Sequence, residues 1–150
     1  GNVYGPRSGH KSSVVAKFIR RALEGKTLEI YGDGGQTRDF IHTDDLTHAI
    51  VLAATQPDVG GEVFQIATNS ETTINGLTDQ ILKALAEEAG LHDVDVQHTE
   101  PRTGDVRRNY SDTSKAEKQL GWTPRVSLDK GLRRTVKSFV SSRHAGAENP

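Results

Sequence analysis

The stretch LEIYGDGGQTRDFIHTDDL, residues 28–46, contains two short apolar runs, a glycine-rich loop between them and the beginning of a helix. Leu28 to Tyr31 has the composition of a short strand, and Phe40 to His42 predicts a second, brief strand. The segment 32–35, Gly-Asp-Gly-Gly, is too rich in glycine for anything except a tight loop. Thr-Asp-Asp at 43–45 then provides a cap and negative charge for a helix. The stretch therefore predicts a strand, a loop, a second strand and a helix in succession.

Further elements follow on both sides of this stretch. Apolar residues at helical spacing predict four more helices, at about 13–25, 73–89, 114–121 and 127–141. Val94 to His98 alternates apolar and polar residues, as a half-exposed strand does. Val63 to Ala67 has apolar residues on both faces, which is typical of a strand buried on both sides. About five helices and three to five short strands, without regular βαβ alternation, predict an α/β fold of the mixed α+β kind.

The composition excludes several classes of function. Lys and Arg number 19 against 20 Asp and Glu, so the net charge of −1 argues against nucleic-acid binding. No apolar run reaches the roughly 20 residues of a membrane-spanning helix. The absence of Cys excludes disulfides and is typical of a reducing compartment, so we expect a cytoplasmic protein. The acidic residues after His42 have no second ligand group at a recognisable spacing, so we expect no metal site.

Three loops carry residues that the fold alone does not require. In 31–40, Arg38 offers a fork of donors to a phosphate, but a hairpin turn with a surface Arg–Asp pair fits the same residues. In 101–108, Arg102 lies beside Gly and Asp, which also fits a basic loop that faces water. Residues 1–7 fit either a strand end that faces a ligand or a turn. If the fold brings the first two loops together, Arg38 and Arg102 bind one diphosphate between them.

Five segments follow one another in the order and spacing of a known family. They are NVYGPR at 2–7, LEIYGDGGQTRDFIHTDDL at 28–46, GEVFQIAT at 61–68, PRTGDVRRNYSDTSKA at 101–116 and LGWTPRVSLDKGL at 120–132. Together they resemble the C-terminal portion of an extended short-chain dehydrogenase/reductase of the NAD-dependent epimerase/dehydratase family. The resemblance implies the small C-terminal substrate-binding domain of a Rossmann-type epimerase over residues 1–142, followed by a flexible tail at 143–150. In the family, the strand at 63–67 belongs to the dinucleotide-binding sheet, most of which this chain lacks.

The resemblance also implies how a nucleotide is bound. Glu29 and Tyr31 match positions that hold uracil by backbone contact and ring packing. Arg38 and Arg102 match the two arginines that bind the diphosphate. Asp105 matches a residue that binds a ribose hydroxyl.

Other matched positions concern the sugar and the cofactor. Asn2 resembles an asparagine that contacts the sugar nucleotide, and Val14 lies where a helix begins beside the nucleotide. Asn109 matches a residue at the border of the hexose pocket, where its small size fits an N-acetylated hexose. Gly1 and Val3 match positions at which the family's chain passes the nicotinamide ribose, so the resemblance implies that they contact the cofactor.

The residues that perform the family's chemistry have no counterpart in this sequence. No Tyr is followed four positions later by Lys, and no glycine-rich dinucleotide turn follows a strand. In the family both lie before the position that matches Gly1, and the chain does not begin with Met, so we expect a piece of a longer protein. We therefore expect the parent enzyme to use NAD, and this chain alone to hold no cofactor and to be inactive.

The resemblance implies a UDP-hexose 4-epimerase as the parent enzyme. A nucleotide-sugar dehydratase, decarboxylase or reductase remains an alternative, because the residues present bind the nucleotide and the absent ones select the reaction. A free-standing, non-catalytic nucleotide-sugar binding module is another. The expected partners are a UDP-hexose and the N-terminal dinucleotide-binding domain, and an exposed sheet edge would also allow a homo-oligomer.

Overall fold

The computed structural model describes residues 2–147, with side chains as far as Arg143. This part of the chain contains six short strands and five helices, which confirms the predicted mixture of α and β structure. The strands are β1 (Asn2–Tyr4), β2 (Leu28–Tyr31), β3 (Thr37–Arg38), β4 (Phe40–His42), β5 (Thr72–Thr73) and β6 (Val96–Thr99). The helices are α1 (Val14–Leu23), α2 (Thr43–Thr55), α3 (Ile74–Ala89), α4 (Ser114–Leu120) and α5 (Leu128–Ala147).

The six described strands form three separate two-stranded sheets. β1 pairs in parallel with β4, and β2 pairs in parallel with β6, which places Tyr31 opposite Thr99. β3 and β5 are antiparallel, with Arg38 opposite Thr72. The predicted strands at 28–31 and 40–42 are confirmed, and the segment between them contains the additional strand β3.

The main core lies where α1, α3 and α5 pack together beside β2. Each helix buries one apolar stripe at helical spacing, which is the pattern that the sequence predicts. The residues at its centre are Phe18, Ile19, Leu77, Ile81, Leu85, Leu132 and Val136. This packing fixes the start of α1 and the end of β2 relative to each other.

A second cluster surrounds Trp122, the only Trp of the chain, which is fully buried. The Trp122 Nε1–H donates to the Asp45 carbonyl at 3.0 Å. The buried Asp45 carboxylate accepts hydrogen bonds from the backbone N–H groups of Arg125 and Val126, each at 3.0 Å. Asp45 therefore joins the first turn of α2 to the segment that follows α4.

Helix α2 begins with a cap that the sequence did not suggest. The His42 Nδ1 accepts a hydrogen bond from the Asp44 N–H at 3.2 Å, so the predicted cap at 43–45 lies one residue too late. An Nδ1 that accepts belongs to a neutral imidazole, and burial lowers the pKa of His42. Asp44 and Asp45 lie in the first turn, where their negative charge is favourable.

The predicted strand at 63–67 is not a strand in this structure. Phe64 and Ile66 pack in part against the Trp122 cluster, whereas Val63 on the opposite face is 77% exposed. A strand needs a neighbour that exchanges backbone hydrogen bonds with it, and no described strand lies beside this segment. Ala67, on the same face as Val63, is nevertheless buried, so the two apolar faces of this segment are covered unevenly.

The last helix is longer than the sequence predicts. α5 continues to Ala147, and the predicted flexible tail at 143–150 lies partly beyond the described residues, so it stays a prediction. None of the described helices combines the length and the apolar composition needed to cross a bilayer.

Candidate functional site

Seven of the eight predicted substrate-binding residues line one cavity of about 290 Å³. One of these residues lies on β1 and one at the start of α1. Two lie on β2, one lies on β3, and the other two lie in the loop 101–108. The seven residues are Asn2, Val14, Glu29, Tyr31, Arg38, Arg102 and Asp105. The two arginine-bearing loops therefore meet, which is the condition for a ligand that both arginines bind.

The end of β2 carries the aromatic side of the cavity. Pairing with β6 fixes β2, and the Tyr31 carbonyl accepts a hydrogen bond from the Gln36 Nε2 at 2.9 Å. This bond folds the glycine loop back onto the strand end. Tyr31 remains 40% exposed, so part of its ring is available for stacking.

The glycine loop approaches α3 too closely for a side chain. Gly34 has a φ of +69°, and a Cβ at this position would lie 1.9 Å from the Asn75 Oδ1. The Asn75 N–H donates to the Gly34 carbonyl at 3.0 Å, and its Nδ2 donates to the Asp33 carbonyl at 2.9 Å. The first turn of α3 thus holds the loop, and only glycine fits at position 34.

The Arg38 guanidinium is held in place by the protein itself. Its Nη1 donates to the Thr37 carbonyl at 2.7 Å and to the Val106 carbonyl at 2.5 Å. Its Nη2 forms an ion pair with the Asp105 carboxylate, and its side chain is 15% exposed. Arg38 is therefore an oriented, largely buried cation at the cavity wall.

Two bidentate ion pairs fasten the loop 101–108 to the glycine loop and to the segment before β5. Arg107 binds Asp33 at 2.8 and 3.1 Å, and Arg108 binds Glu71 at 3.0 and 2.6 Å. These contacts lower the pKa of the Asp33 and Glu71 carboxyls to about 2. The Thr37 N–H also donates to the Arg107 carbonyl at 2.9 Å. The loop is thus attached at several points.

Arg102 differs from the other arginines of this loop. Its side chain forms no hydrogen bond or ion pair with any residue that the structure describes, and it is exposed at the cavity. Its carbonyl accepts a hydrogen bond from the Asp105 N–H at 3.1 Å, which closes a turn. The turn sets Arg102 and Asp105 beside the same cavity.

Lys17 is a lining residue that the sequence analysis missed. Its Nζ lies 3.5 Å from the Glu29 carboxylate and 5.1 Å from the centroid of the Tyr31 ring. Glu29 also pairs with Arg21 at 3.1 Å. Lys17 follows Val14 by three positions on α1, so helical spacing would have placed both on one face.

Three predicted residues do not line this cavity or lie outside the described part of the chain. Asn109 is exposed and does not line the cavity. Val3 is 41% exposed and does not line it either. Gly1 lies outside the described residues. The hexose contact of Asn109 and the cofactor contacts of Gly1 and Val3 stay predictions.

The buried pair of Tyr4 and His42 is not part of the cavity lining. Tyr4 and His42 are buried side by side, with ring centroids 5.5 Å apart, and neither lines the cavity. Burial raises the pKa of Tyr4, which keeps its hydroxyl protonated. Among residues 2–143, whose side chains the structure describes, no three His, Asp or Glu side chains are grouped so as to hold a metal. Two guanidinium groups and an open aromatic ring instead suit a ligand with negative charge and a flat base.

A second cavity of about 290 Å³ lies between α1 and α5. Arg7, Leu23 and Phe139 are among its lining residues, and none of the predicted site residues is. Seven predicted residues therefore line the first cavity, whereas none lines this one.

Comparison with known proteins identifies close relatives of the chain. A family model described as GDP-mannose 4,6 dehydratase matches residues 1–135. The UDP-glucose 4-epimerase of Mycolicibacterium smegmatis is 40% identical over 140 residues, which are 92% of this chain and 43% of that protein. The chain therefore spans less than half of the length of this relative.

Solved structures show the same fold over the same region. The UDP-glucose 4-epimerase of Thermotoga maritima with UDP-glucose has a TM-score of 0.81 and 42% identity, covering 95% of this chain and 44% of that one. The dTDP-glucose 4,6-dehydratase of Bacillus anthracis in complex with NAD has a TM-score of 0.79 and 30% identity, covering 95% and 43%. Because the family model covers most of the chain, the chain belongs to the GDP-mannose 4,6 dehydratase family, among the NAD-dependent epimerases and dehydratases that its motifs resemble.

Proposed function

We propose that the chain is the nucleotide-sugar-binding part of an NAD-dependent UDP-hexose 4-epimerase. The observation that carries the proposal is the convergence of Arg38 and Arg102 on one cavity beside the open ring of Tyr31. Arginine suits a diphosphate because its planar fork forms paired hydrogen bonds with phosphate oxygens. An aromatic ring beside two such groups matches the arrangement of base and phosphates in a nucleoside diphosphate.

The rest of the nucleotide-sugar site comes from a second domain in this proposal. A cavity of about 290 Å³ is at the small end for ligand sites, which usually measure roughly 300–1,000 Å³. Ile50 and Val51 on the outer face of α2 are 60% and 53% exposed, and Val63 is 77% exposed. We place the dinucleotide-binding domain against this apolar surface, where a strand of its sheet can pair with 63–67.

The residues of this chain do not fit NAD by themselves. The 150 residues contain neither a glycine-rich dinucleotide turn nor Tyr-x-x-x-Lys, and the described cavity is lined for an anion and a base. We therefore assign no hydride transfer and no proton transfer to this chain. Its residues bind and orient the substrate, and we expect it to be inactive alone.

The choice of a 4-epimerase rests on similarity. The two 4-epimerases described above are 40% and 42% identical to this chain, against 30% for the dehydratase from B. anthracis. The same nucleotide-binding residues would also serve a dehydratase or decarboxylase, so the parent enzyme is tested by its product. An epimerase converts UDP-glucose to UDP-galactose, whereas a dehydratase yields a 4-keto-6-deoxy sugar, and NMR spectroscopy of the product distinguishes them.

The binding function is tested by calorimetry with UDP on this chain. We expect weak binding that is detectable at millimolar ligand, because part of the cavity wall belongs to another domain. Arg38→Ala and Arg102→Ala should each weaken binding at least about tenfold, the value of one charge-assisted contact. Arg125→Ala removes an exposed Arg outside the cavity and should change nothing. No heat with the unaltered chain, or unchanged binding in Arg38→Ala, would refute the proposal.

Two further properties belong to the proposal. The absence of Cys fits a reducing compartment, so we place the protein in the cytoplasm. The uncovered surface of α2 and 63–67 would also allow a homo-oligomer. Sedimentation of the chain tests this, and a monomer at every concentration would argue against it.

A further inference from the structure

The partner of Arg38 in this structure is the residue expected to bind the ribose. We propose that Asp105 is a specificity-determining residue, which blocks Arg38 against simple anions and releases it to a ligand that carries both a phosphate and a ribose hydroxyl. This inference rests on the proposed function, since it concerns the same site. What it adds is a competition between the carboxylate and the phosphate for one guanidinium.

The hydrogen-bond donors of Arg38 are largely used. A guanidinium has five N–H donors, and both on Nη1 go to the carbonyls of Thr37 and Val106. One on Nη2 goes to Asp105, which leaves only the Nε–H and the second Nη2–H. A phosphate that binds Arg38 through the Nε–H and the second Nη2–H must therefore share Nη2 with Asp105, and the negative charge of the carboxylate then lies beside the phosphate unless the carboxylate moves away.

Asp105 is the member of the pair that is free to move. The Arg38 side chain is 15% exposed and fixed by two carbonyls, whereas the Asp105 side chain is 32% exposed and has Arg38 as its one partner among the described residues. The loop itself is held by Arg107 on Asp33 and by the Thr37 N–H on the Arg107 carbonyl. A rotation of the carboxylate is thus enough to open Arg38, and the loop stays in place.

The outcome of this exchange depends on the ligand. Inorganic pyrophosphate displaces the Asp105 carboxylate from Arg38 and leaves that carboxylate close to added negative charge. It brings no ribose hydroxyl that could donate a hydrogen bond to the freed carboxylate. A nucleoside diphosphate brings a ribose hydroxyl that donates to the freed carboxylate. Arg102 lies on the same turn as Asp105 and is free to bind the phosphates in both cases. Asp105 therefore penalises the simple anion more than the nucleotide.

The experiment compares UDP with inorganic pyrophosphate on Asp105→Asn by calorimetry at fixed ionic strength. Asparagine keeps the size and one acceptor for Arg38 but removes the charge. Pyrophosphate should bind about fivefold more tightly or better, which corresponds to the roughly 1 kcal/mol of one partly exposed ion pair. The ratio of UDP affinity to pyrophosphate affinity should fall at least about tenfold, since Asn is also a weaker acceptor for the ribose.

The control is Asp93→Asn, which removes the same charge at an exposed position outside the cavity. It should leave both affinities within about twofold of the unaltered chain, because salt and water screen an exposed charge that does not line the cavity. Pyrophosphate binding that is unchanged or weakened in Asp105→Asn would overturn the inference, as would an equal gain in Asp93→Asn. Failure of the chain to bind UDP refutes the proposed function instead, and the pyrophosphate arm still reports on Asp105.

Discussion

Replacement of Asp45 by Ala tests the tie between α2 and the segment after α4. Asp45 is 3% exposed, and its two carboxylate oxygens accept the backbone N–H groups of Arg125 and Val126 at 3.0 Å. Alanine removes both acceptors and leaves two N–H groups without a protein partner. The Trp122 hydrogen bond goes to the Asp45 carbonyl and remains available in the variant.

The magnitude follows from the two lost bonds. A hydrogen bond to a charged acceptor contributes about 1.5 kcal/mol at the low end of its range, so Asp45→Ala should lower the free energy of unfolding by about 3 kcal/mol. With a urea m-value of roughly 2 kcal/mol per molar, the unfolding midpoint should fall by about 1.5 M.

Trp122 is the natural reporter for this measurement, because it is the only Trp and is fully buried in the native chain. Urea unfolding is followed by its fluorescence and, in parallel, by circular dichroism, whose agreement checks two-state behaviour. Asp93→Ala, at an exposed position without a described contact, should stay within about 0.5 kcal/mol of the unaltered chain. A loss below about 1 kcal/mol in Asp45→Ala would refute the role assigned to the carboxylate.

Three more predictions concern the loops and the helix cap. Gly34→Ala combines a φ of +69° with a Cβ 1.9 Å from Asn75, so it should cost at least about 1–3 kcal/mol in urea unfolding and weaken UDP binding. Arg107→Ala should raise the pKa of Asp33 from about 2 toward 3.8, as measured by NMR titration of the carboxyl carbon. In the unaltered chain, the stabilisation by Asp33 should be complete above its unfolded pKa and be lost as the pH falls toward 2. Because the folded pKa of His42 is lowered, stability should decline as the pH falls below the unfolded value of about 6.5, and His42→Gln should reduce that decline.

Each of these has an opposite outcome that contradicts it. Wild-type stability in Gly34→Ala would mean that the glycine loop does not approach α3. If the pKa of Asp33 is the same in Arg107→Ala as in the unaltered chain, the ion pair is not the cause of the lowered pKa. An equal change in stability between pH 7 and pH 5 in the unaltered chain and in His42→Gln would show that His42 takes up a proton in the native state as readily as in the unfolded one.

The local elements of the fold were predictable because local patterns determine them. The strands within 28–46 and the buried stripes of α1, α3 and α5 follow from the spacing of apolar residues. The glycine loop was predictable from composition. The pairing of β3 with β5 was not, since two-residue strands carry no periodicity that distinguishes them from a turn.

Contacts between distant segments explain what the sequence did not reveal. The meeting of Arg38 with Asp105 joins residues 67 positions apart, and the pair of Arg107 with Asp33 joins residues 74 apart. No spacing rule covers such distances, so spacing alone left open whether Arg38 and Arg102 converge. The prediction at 63–67 failed for a related reason. Apolar residues on two faces show that both faces suit burial, but a strand also requires a neighbour, which no described strand provides.

The proposed function has a consequence for how the family's reactions diverge. If the arginines and the aromatic ring of the cavity bind the nucleotide and take no part in bond making, the lining does not depend on the fate of the sugar. Substitutions elsewhere in the protein can then change the reaction during evolution, while the residues that line the cavity stay the same. Exchange of residues 1–142 between an epimerase and a dehydratase should accordingly transfer the preference for a base and leave the type of product as it was.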